Sequence, residues 1–357
     1  MSSSEPIDPT IPVAKLISFA LPCYNAAAYL DHCVESILTG AEGYEGAVEI
    51  ILVDDGSTAD DTAAKIDAWQ ERHPGTIRAI HQENAGHGGA VNTGLAHAQG
   101  AWFKVVDSDD WLDKDALHEL LSKLSGFRQE GAVLDLIIVN YVYEKVEEGK
   151  RVPIRFAGAL PEGRSFGWDE VGNFKPQQNL LMHAVVYRTK LLRETGLQLP
   201  QKTFYVDNIF VYVPLPAVER LFYLNIDLYR YFIGREGQSV AESTMVARVD
   251  QQLRITGIMI DAYHLEEDVK NKRLRTYMRH YLAMMMTICS IFLRLSTRED
   301  AQEQEKAIWE HLRQADPCTY KRIRRSPVCM GSTLPGKAGK AASIAAYHLA
   351  QRLFNFN

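Results

Sequence analysis

The segment AWFKVVDSDDWLD, residues 101–113, runs an apolar stretch straight into three carboxylates, and no other feature limits the possible folds so strongly. Residues 101–106 have the aromatic and β-branched content, and the length, of a buried strand. Asp107, Asp109 and Asp110 then stand where that strand must leave the sheet. Residues two apart in an extended segment share a face, so the oxygens of Asp107 and Asp109 can converge on one hard divalent cation, Mn²⁺ or Mg²⁺. Without a cation such a cluster repels itself. The competing reading is that the acids flanking Ser108 cap a helix that begins near Asp113, and the neighbouring segments decide between the two.

The chain has 357 residues, enough for one large α/β domain with an appendage or for two domains with sizeable cores. Apolar residues at 46% and charged residues at 24% place it among globular proteins, and a net charge of −6 argues against nucleic acid as a partner. The five cysteines, Cys23, Cys33, Cys289, Cys318 and Cys329, show no C-x-x-C pair and no metal-ligand spacing. They read as reduced thiols of a cytoplasmic protein. Residues 1–14 are polar and proline-rich, which predicts a disordered lead-in and not a signal peptide. The longest apolar run, residues 281–293, is shorter than the roughly 20 residues of a spanning helix and predicts a buried helix.

Residues 16–21, LISFAL, read as a buried strand, and Pro22-Cys23-Tyr24-Asn25 ends it, with Asn25 as the expected cap of a helix over residues 26–38. A dinucleotide-binding turn would carry G-x-G-x-x-G at this point, and this one has none. It offers a rigid proline edge and the ring of Tyr24, on which a base can stack. VEIILV at 48–53 is a second buried strand that runs into Asp54-Asp55-Gly56-Ser57. One of these acids can accept from the N–H of a uracil ring or from a ribose hydroxyl. Asp60 and Asp61 open the next helix, where the helix dipole accounts for them. A third strand, 76–81, leads into the small-residue run Asn84 to Asn92, whose glycines permit close backbone approach at a helix N-terminus. His87 in that run reads as a phosphate contact or as a solvated loop histidine. Four strands alternating with three helices, with acids or small residues at the strand ends, describe a doubly wound α/β sheet with a site along one edge.

The order PCYN at 22–25, VDDGS at 53–57 with Asp60, Asn84-x-Gly86 with Asn92-x-Gly94, and VDSDD at 106–110 resembles the nucleotide-binding half of the family 2 glycosyltransferases, which have the GT-A fold. The resemblance implies that Asp54 and Asp55 hold the nucleotide base. It implies that Asp107 and Asp109 form the D-x-D pair that holds a cation on the diphosphate. The nucleotide site it implies comprises Pro22, Tyr24, Asn25, Asp54, Asp55, Asn84, Gly86, Asn92, Asp107 and Ser108. One departure is Val91, where many members carry an arginine.

Residues 134–143 continue the sheet, and residues 141–152 read as a hairpin at its edge. Residues 155–178 are glycine- and aromatic-rich without period and read as an acceptor-side loop. A short strand at 183–187 and a small helix at 189–195 follow. In TFYVDNIF, residues 203–210, the resemblance implies a catalytic base at Asp207, usually preceded by Glu where this chain has Val206; a helix cap at the same position is compatible. After a strand at 221–224, Arg235 and Ser239 resemble residues that close over the diphosphate, and a guanidinium suits that charge. Beyond residue 243 the periodicity predicts helices over 246–265, 270–295 and 298–314. After Asp316 there is no acid, while Lys321, Arg322, Arg324, Arg325, Lys337, Lys340 and Arg352 accumulate, and AASIAAYHLAQRLFNF at 341–356 predicts an amphipathic helix. That helix either lies on an anionic leaflet or docks on its own helical region or on a second subunit of a homo-oligomer.

The expected organisation is a lead-in (1–14), a GT-A domain (15–243), a helical region (244–316) and a basic tail (317–357). The expected activity is that of an inverting, metal-dependent, hexosyltransferase-type enzyme. It moves a sugar from a nucleotide-diphosphate donor, UDP-linked, to a hydroxyl of a glycan, lipid-linked or polymer acceptor in surface-polysaccharide or teichoic-acid synthesis. The expected setting is the cytoplasm, with peripheral contact at the inner membrane face. The alternatives are a degenerate transferase serving as a scaffold and a sugar nucleotidyltransferase. The latter usually needs a glycine-rich, basic loop after the first strand, and PCYN is not one.

Overall fold

The computed structural model describes residues 15–175, 178–233 and 242–354. Strands and helices first alternate strictly: β1 (Ile17–Cys23), α1 (Leu30–Gly40), β2 (Val48–Asp54), α2 (Thr62–Arg72), β3 (Ile77–His81), α3 (Gly86–His97) and β4 (Trp102–Val105). Then come β5 (Trp111–Leu112), α4 (Lys114–Gln129), β6 (Leu136–Lys145), β7 (Lys150–Ile154), β8 (Ser165–Phe166), β9 (Val185–Arg188), α5 (Thr189–Glu194), α6 (Asp207–Tyr212) and β10 (Leu221–Ile233). The sheet order is β3-β2-β1-β4-β9-β6-β10-β5, with β7 beside β6 and β8 beside β10. Strands β3, β2, β1 and β4 are parallel, β9 is antiparallel to β4 and β6, and β10 is parallel to β6. The sheet is therefore mixed and doubly wound. Strands β1 and β2 are buried along their whole length, which is why they read as unbroken apolar runs.

Pro22 lies in a central strand, where a missing N–H is normally costly. Pairing of β1 with β4 ends at Ala20 and Val105, and the Ala20 carbonyl accepts from Val106 N on that side. Alternation along the strand points the Pro22 nitrogen to the same side, beyond the last ladder bond. The ladder ends there, at the switch in strand order where an open sheet of this kind places its ligand crevice.

Asn25 does not cap a helix. Its φ of +49° is left-handed, and α1 begins only at Leu30, burying Leu30, Cys33, Val34 and Ile37 along one stripe. Asp113 does cap α4, its carboxylate accepting from Ala116 N at 3.1 Å. Strand β10 extends far beyond the expected 221–224, because Asn225 and Asp227 interrupt the apolar run at a register shift and pairing with β6 then resumes to Ile233.

The remaining elements are helical: α7 (Glu242–Ala247), α8 (Val249–Ala262), α9 (Leu265–Asp268), α10 (Lys272–Leu295), α11 (Ala301–Ala315), α12 (Pro317–Arg324), α13 (Pro327–Ser332) and α14 (Gly336–Phe354). The helices expected over 246–265, 270–295 and 298–314 correspond to α8, α10 and α11. Met285 and Met286 fill the core, as a methionine run at helical spacing usually does. Among the described residues no helix is long and apolar enough to cross a membrane. One contiguous core joins Phe19, Val105 and Tyr187 of the sheet to Met259, Tyr281, Leu312 and Ile323 of the helices. A smaller separate cluster, Val249, Ile291, Phe292 and Leu293, lies within the helical region.

Candidate active site at the carboxyl edge of the sheet

Three strand ends meet at the crevice. After β1, Tyr24 is 53% exposed and presents its ring to solvent. Asn25 ties this turn to the next: its Oδ1 accepts from Thr58 N and Ala59 N at 3.1 and 3.0 Å, and its backbone N–H donates to Ser57 Oγ. The left-handed backbone at Asn25 aims the amide, which suits a residue that tolerates this conformation.

After β2, Asp54 and Asp55 are both buried and have separate tasks. Asp54 accepts from Ser57 N at 3.0 Å and contacts His81 Nδ1 at 3.0 Å. Burial opposes its ionisation, but Ser57 and His81 outweigh burial and hold its carboxyl below the usual range. Asp55 accepts from Gln82 Nε2, Ala85 N and Gly86 N at 2.7, 2.7 and 2.8 Å, so it fastens the start of α3 to the strand end. Gly86, at φ +76°, lies so close to Lys202 that an added Cβ would stand 2.8 Å from the Lys202 N and Cα. Asn84 is exposed beside this turn. The amide of Asn92 donates to Leu199 O at 2.9 Å and accepts from Leu199 N at 3.0 Å, which pins α3 to the segment before α6. Val91 is buried in the core.

After β4 the chain turns instead of continuing extended, with Asp110 N donating to Asp107 O at 3.0 Å. The two-residue face rule therefore fails here, and residues three apart converge. Asp107 and Asp110 cluster with His183, their ligating atoms all within 4.8 Å of one another, and Asp109 is not part of that cluster. Ser108 is buried within the turn and Asp109 is partly exposed. Both oxygens of Asp110 are already engaged, Oδ2 by Tyr229 OH at 2.7 Å and Oδ1 by Phe232 N at 2.8 Å. Burial and the Asp107 charge push the Asp110 carboxyl well up. Asp107 is the ionised member. Burial works against it, yet the His87 and His183 imidazoles prevail and its carboxyl stays well below the usual range. His87 Nε2 lies 2.7 Å from Asp107 Oδ1.

His183, just before β9, is buried, and neither ring nitrogen makes a hydrogen bond among the described residues. Its Nε2 lies 3.7 Å from Asp107 Oδ2, and the ring is held between Tyr231, stacked at 4.4 Å, and Tyr229, edge-on at 4.5 Å. A buried imidazole with two idle nitrogens is costly unless something else occupies them. Nothing local in LMHAVVYR marks His183 as a site residue. Strand order alone, β4 next to β9, brings it to Asp107.

Asp207 opens α6, and its surroundings place it within electrostatic reach of His183, His87 and Asp107. Burial pushes its carboxyl up, and Asp107 adds to that shift while the imidazoles oppose it. The segment that carries it has left-handed turns at Lys202 and Tyr205. The helical layer holds it: Gln251 accepts from Phe204 N at 2.6 Å, Arg254 donates to Thr203 Oγ1 at 2.8 Å, and Tyr281 OH donates to Asn208 Oδ1 at 3.1 Å. The expected contacts Arg235 and Ser239, like the lead-in 1–14, lie outside the described residues.

Comparison with known proteins bears on the fold that carries these residues. The sequence pattern described as Glycosyl transferase family 2 matches residues 18–189. The chain is 30% identical over 267 residues to the glycosyltransferase GlyA of Streptococcus pneumoniae serotype 4 (strain ATCC BAA-334 / TIGR4); the match covers 70% of this chain and 36% of GlyA, so the chain spans about a third of that relative. Among solved structures it is similar to residues 1–349 of TarS from S. aureus in complex with UDP-GlcNAc, with a TM-score of 0.65 and 19% identity over 95% of this chain and 92% of that one. It is also similar to the mannosyltransferase PcManGT from Pyrobaculum calidifontis in complex with GDP-Man and Mn²⁺, with a TM-score of 0.51 and 14% identity over 96% and 88% of the two chains. With its motifs ordered along a mixed sheet of this architecture, the chain has the GT-A fold of these structures, and its residues 18–189 carry the pattern of glycosyl transferase family 2.

Proposed function

We propose that the protein moves a sugar, with inversion, from a UDP-linked donor to a hydroxyl of a glycan, lipid-linked or polymer acceptor in surface-polysaccharide or teichoic-acid synthesis. The observation that carries this reading is the cluster of Asp107 and His183 beyond the end of β4, with Asp207 within electrostatic reach of both. Tyr24 offers the ring on which the base stacks, beside Asn25 and the Asp54 and Asp55 turns. The TarS complex with UDP-GlcNAc supports a UDP-sugar in that place, and the enzyme works in the cytoplasm.

The residues fit a divalent cation. His183 has both ring nitrogens idle and one near the ionised Asp107, an imidazole and carboxylate pair that suits Mn²⁺ better than a purely oxygen-seeking ion. Asp110 is spent on Tyr229 and Phe232, so Asp107 and His183 are the proposed ligands, while Asp109, the other acid of the D-x-D pair, stands outside their cluster. When bound, the cation neutralises charge on the leaving diphosphate. Arg235 and Ser239 are proposed to assist on the same phosphates. Asp207 takes the proton of the acceptor hydroxyl as that oxygen attacks, and its raised pKa makes it a better base than a solvated carboxylate.

The test is calorimetric titration of UDP-sugars and UDP, with and without Mn²⁺, coupled to turnover assays. Asp207→Asn is expected to lower kcat by roughly 10²- to 10⁴-fold with donor Kd nearly unchanged. His183→Ala is expected to weaken Mn²⁺-dependent donor binding by about tenfold or more. Donor binding that ignores Mn²⁺ in the native protein would remove the cation from this reading. Full turnover in Asp207→Asn would remove the base.

A further inference from the structure

The C-terminal helices carry a surface that the transfer chemistry leaves unused. Residues 317–357 contain seven Lys or Arg and no acid, a charge of +7; since the chain as a whole carries −6, the remainder carries −13. The positive charge is thus gathered at one end of an otherwise acidic molecule.

Helix α14 has its faces reversed relative to an ordinary surface helix. Polar and amphipathic side chains point inward: Ser343 Oγ donates to Gly331 O at 2.6 Å, Gln351 Nε2 donates to Glu242 Oε2 at 3.1 Å, and Tyr347 packs edge-on against Phe292. The opposite stripe, Ala338, Ala341, Ala342, Ala345 and Leu349, is exposed and wholly apolar. A helix that faced only water would carry its polar side there. Val328, Met330 and Leu334, exposed at 64%, 57% and 39%, add apolar side chains on α13 and the connection to α14. The two helices are joined closely, since Gly339 packs under Leu334.

Lys337 and Lys340 in the first turns of α14, with Lys321 and Arg325 in and just after α12, are exposed and form no ion pair among the described residues. Arg322 pairs with Glu266 at 3.2 Å, and Arg324 sits 4.9 Å from the Trp309 ring centroid. The acids packed against these helices are themselves engaged, Glu305 by Arg294, Glu266 by Arg275 and Arg322, and Glu242 by Gln351.

We propose that the exposed face of α13 and α14 docks on an anionic lipid bilayer. The apolar stripe enters the headgroup boundary, and the lysines and arginine around it meet lipid phosphates. A second copy of this chain is the poorer occupant, because a symmetric contact would set this basic surface against itself. The proposal stands independently of the donor and acceptor chemistry.

Sedimentation of the full chain with vesicles tests it. Binding is expected with equal parts phosphatidylcholine and phosphatidylglycerol, to be absent with phosphatidylcholine alone, and to fall several-fold as salt is raised from about 0.05 to 0.5 M. Reversing Lys321, Arg325, Lys337 and Lys340 together to Glu is expected to cut the partition constant by about tenfold or more, with circular dichroism and melting temperature as checks on folding. Leu349→Asp is expected to weaken binding at every salt concentration. No binding to the anionic vesicles, or equal binding to neutral ones, overturns the proposal without recourse to any variant. So does a dimer, seen by light scattering, that Leu349→Asp dissociates while vesicle binding is absent.

Discussion

Lys104 is fully buried in β4, three residues before Asp107, with its ammonium donating to His183 O at 2.7 Å and lying 5.0 Å from the Tyr229 ring centroid. Burial pushes its pKa down to about 7, against the pull of Asp107. Below about pH 7 the group is charged in both folded and unfolded chains, and the folded state bears the full cost of burying it. Between about 7 and the ordinary lysine value the unfolded chain holds the proton more tightly, so stability rises with pH. Lys104→Met is expected to flatten that rise, as read from urea denaturation at pH values across this window. A slope equal to that of the native protein would show that the ammonium is compensated by other groups. The acids Asp54, Asp55 and Asp107 were legible in the sequence because strand ends announce them. His183 and Lys104 were not: each looks like an ordinary core position, and both acquire meaning from neighbours on other strands.

Among the elements, α3 depends most on a single position. Gly86 combines a left-handed backbone with a Cα that faces the Lys202 main chain, and the Lys202 N–H donates to Ala85 O at 2.7 Å. Gly86→Ala is expected to cost about 1–3 kcal/mol and to displace the segment leading to Asp207, so kcat should fall along with the melting temperature. Loss of stability with unchanged kcat would detach the base from this contact. The parallel strands were readable to within a residue or two, since burial on both faces leaves only apolar residues. The turn at Asp107 to Asp110 was not. Its backbone hydrogen bond breaks the extended geometry from which the Asp107 and Asp109 pairing was argued, and brings Asp110 to Asp107 instead. Strand β10 hid its length behind Asn225 and Asp227. The Asn225 amide is taken up by Glu162, and its carbonyl accepts from Asn140, which also donates to Asp227.

At the scale of the molecule, one hydrophobic core links the sheet to the helices, and Gln251, Arg254 and Tyr281 reach from those helices to the segment around Asp207. The described residues are therefore expected to unfold in a single calorimetric transition, whereas two separated transitions would mean that the helices fold apart from the sheet. Composition distinguished the regions from one another, but it did not show that they share an interior, because periodicity reports which face of a helix is apolar and not what covers it. The position of β10 has a consequence for biosynthesis. It is inserted between β6 and β5, pairing along the length of β6 from Leu136 to Lys145, yet its first residue, Leu221, emerges only long after Lys145. At ordinary elongation speeds that interval is roughly 4–15 s. Throughout it the nascent chain holds an open, apolar strand edge, the kind of template on which chains join one another. The ribosome-bound intermediate, more than the finished enzyme, is where a chaperone would find its client.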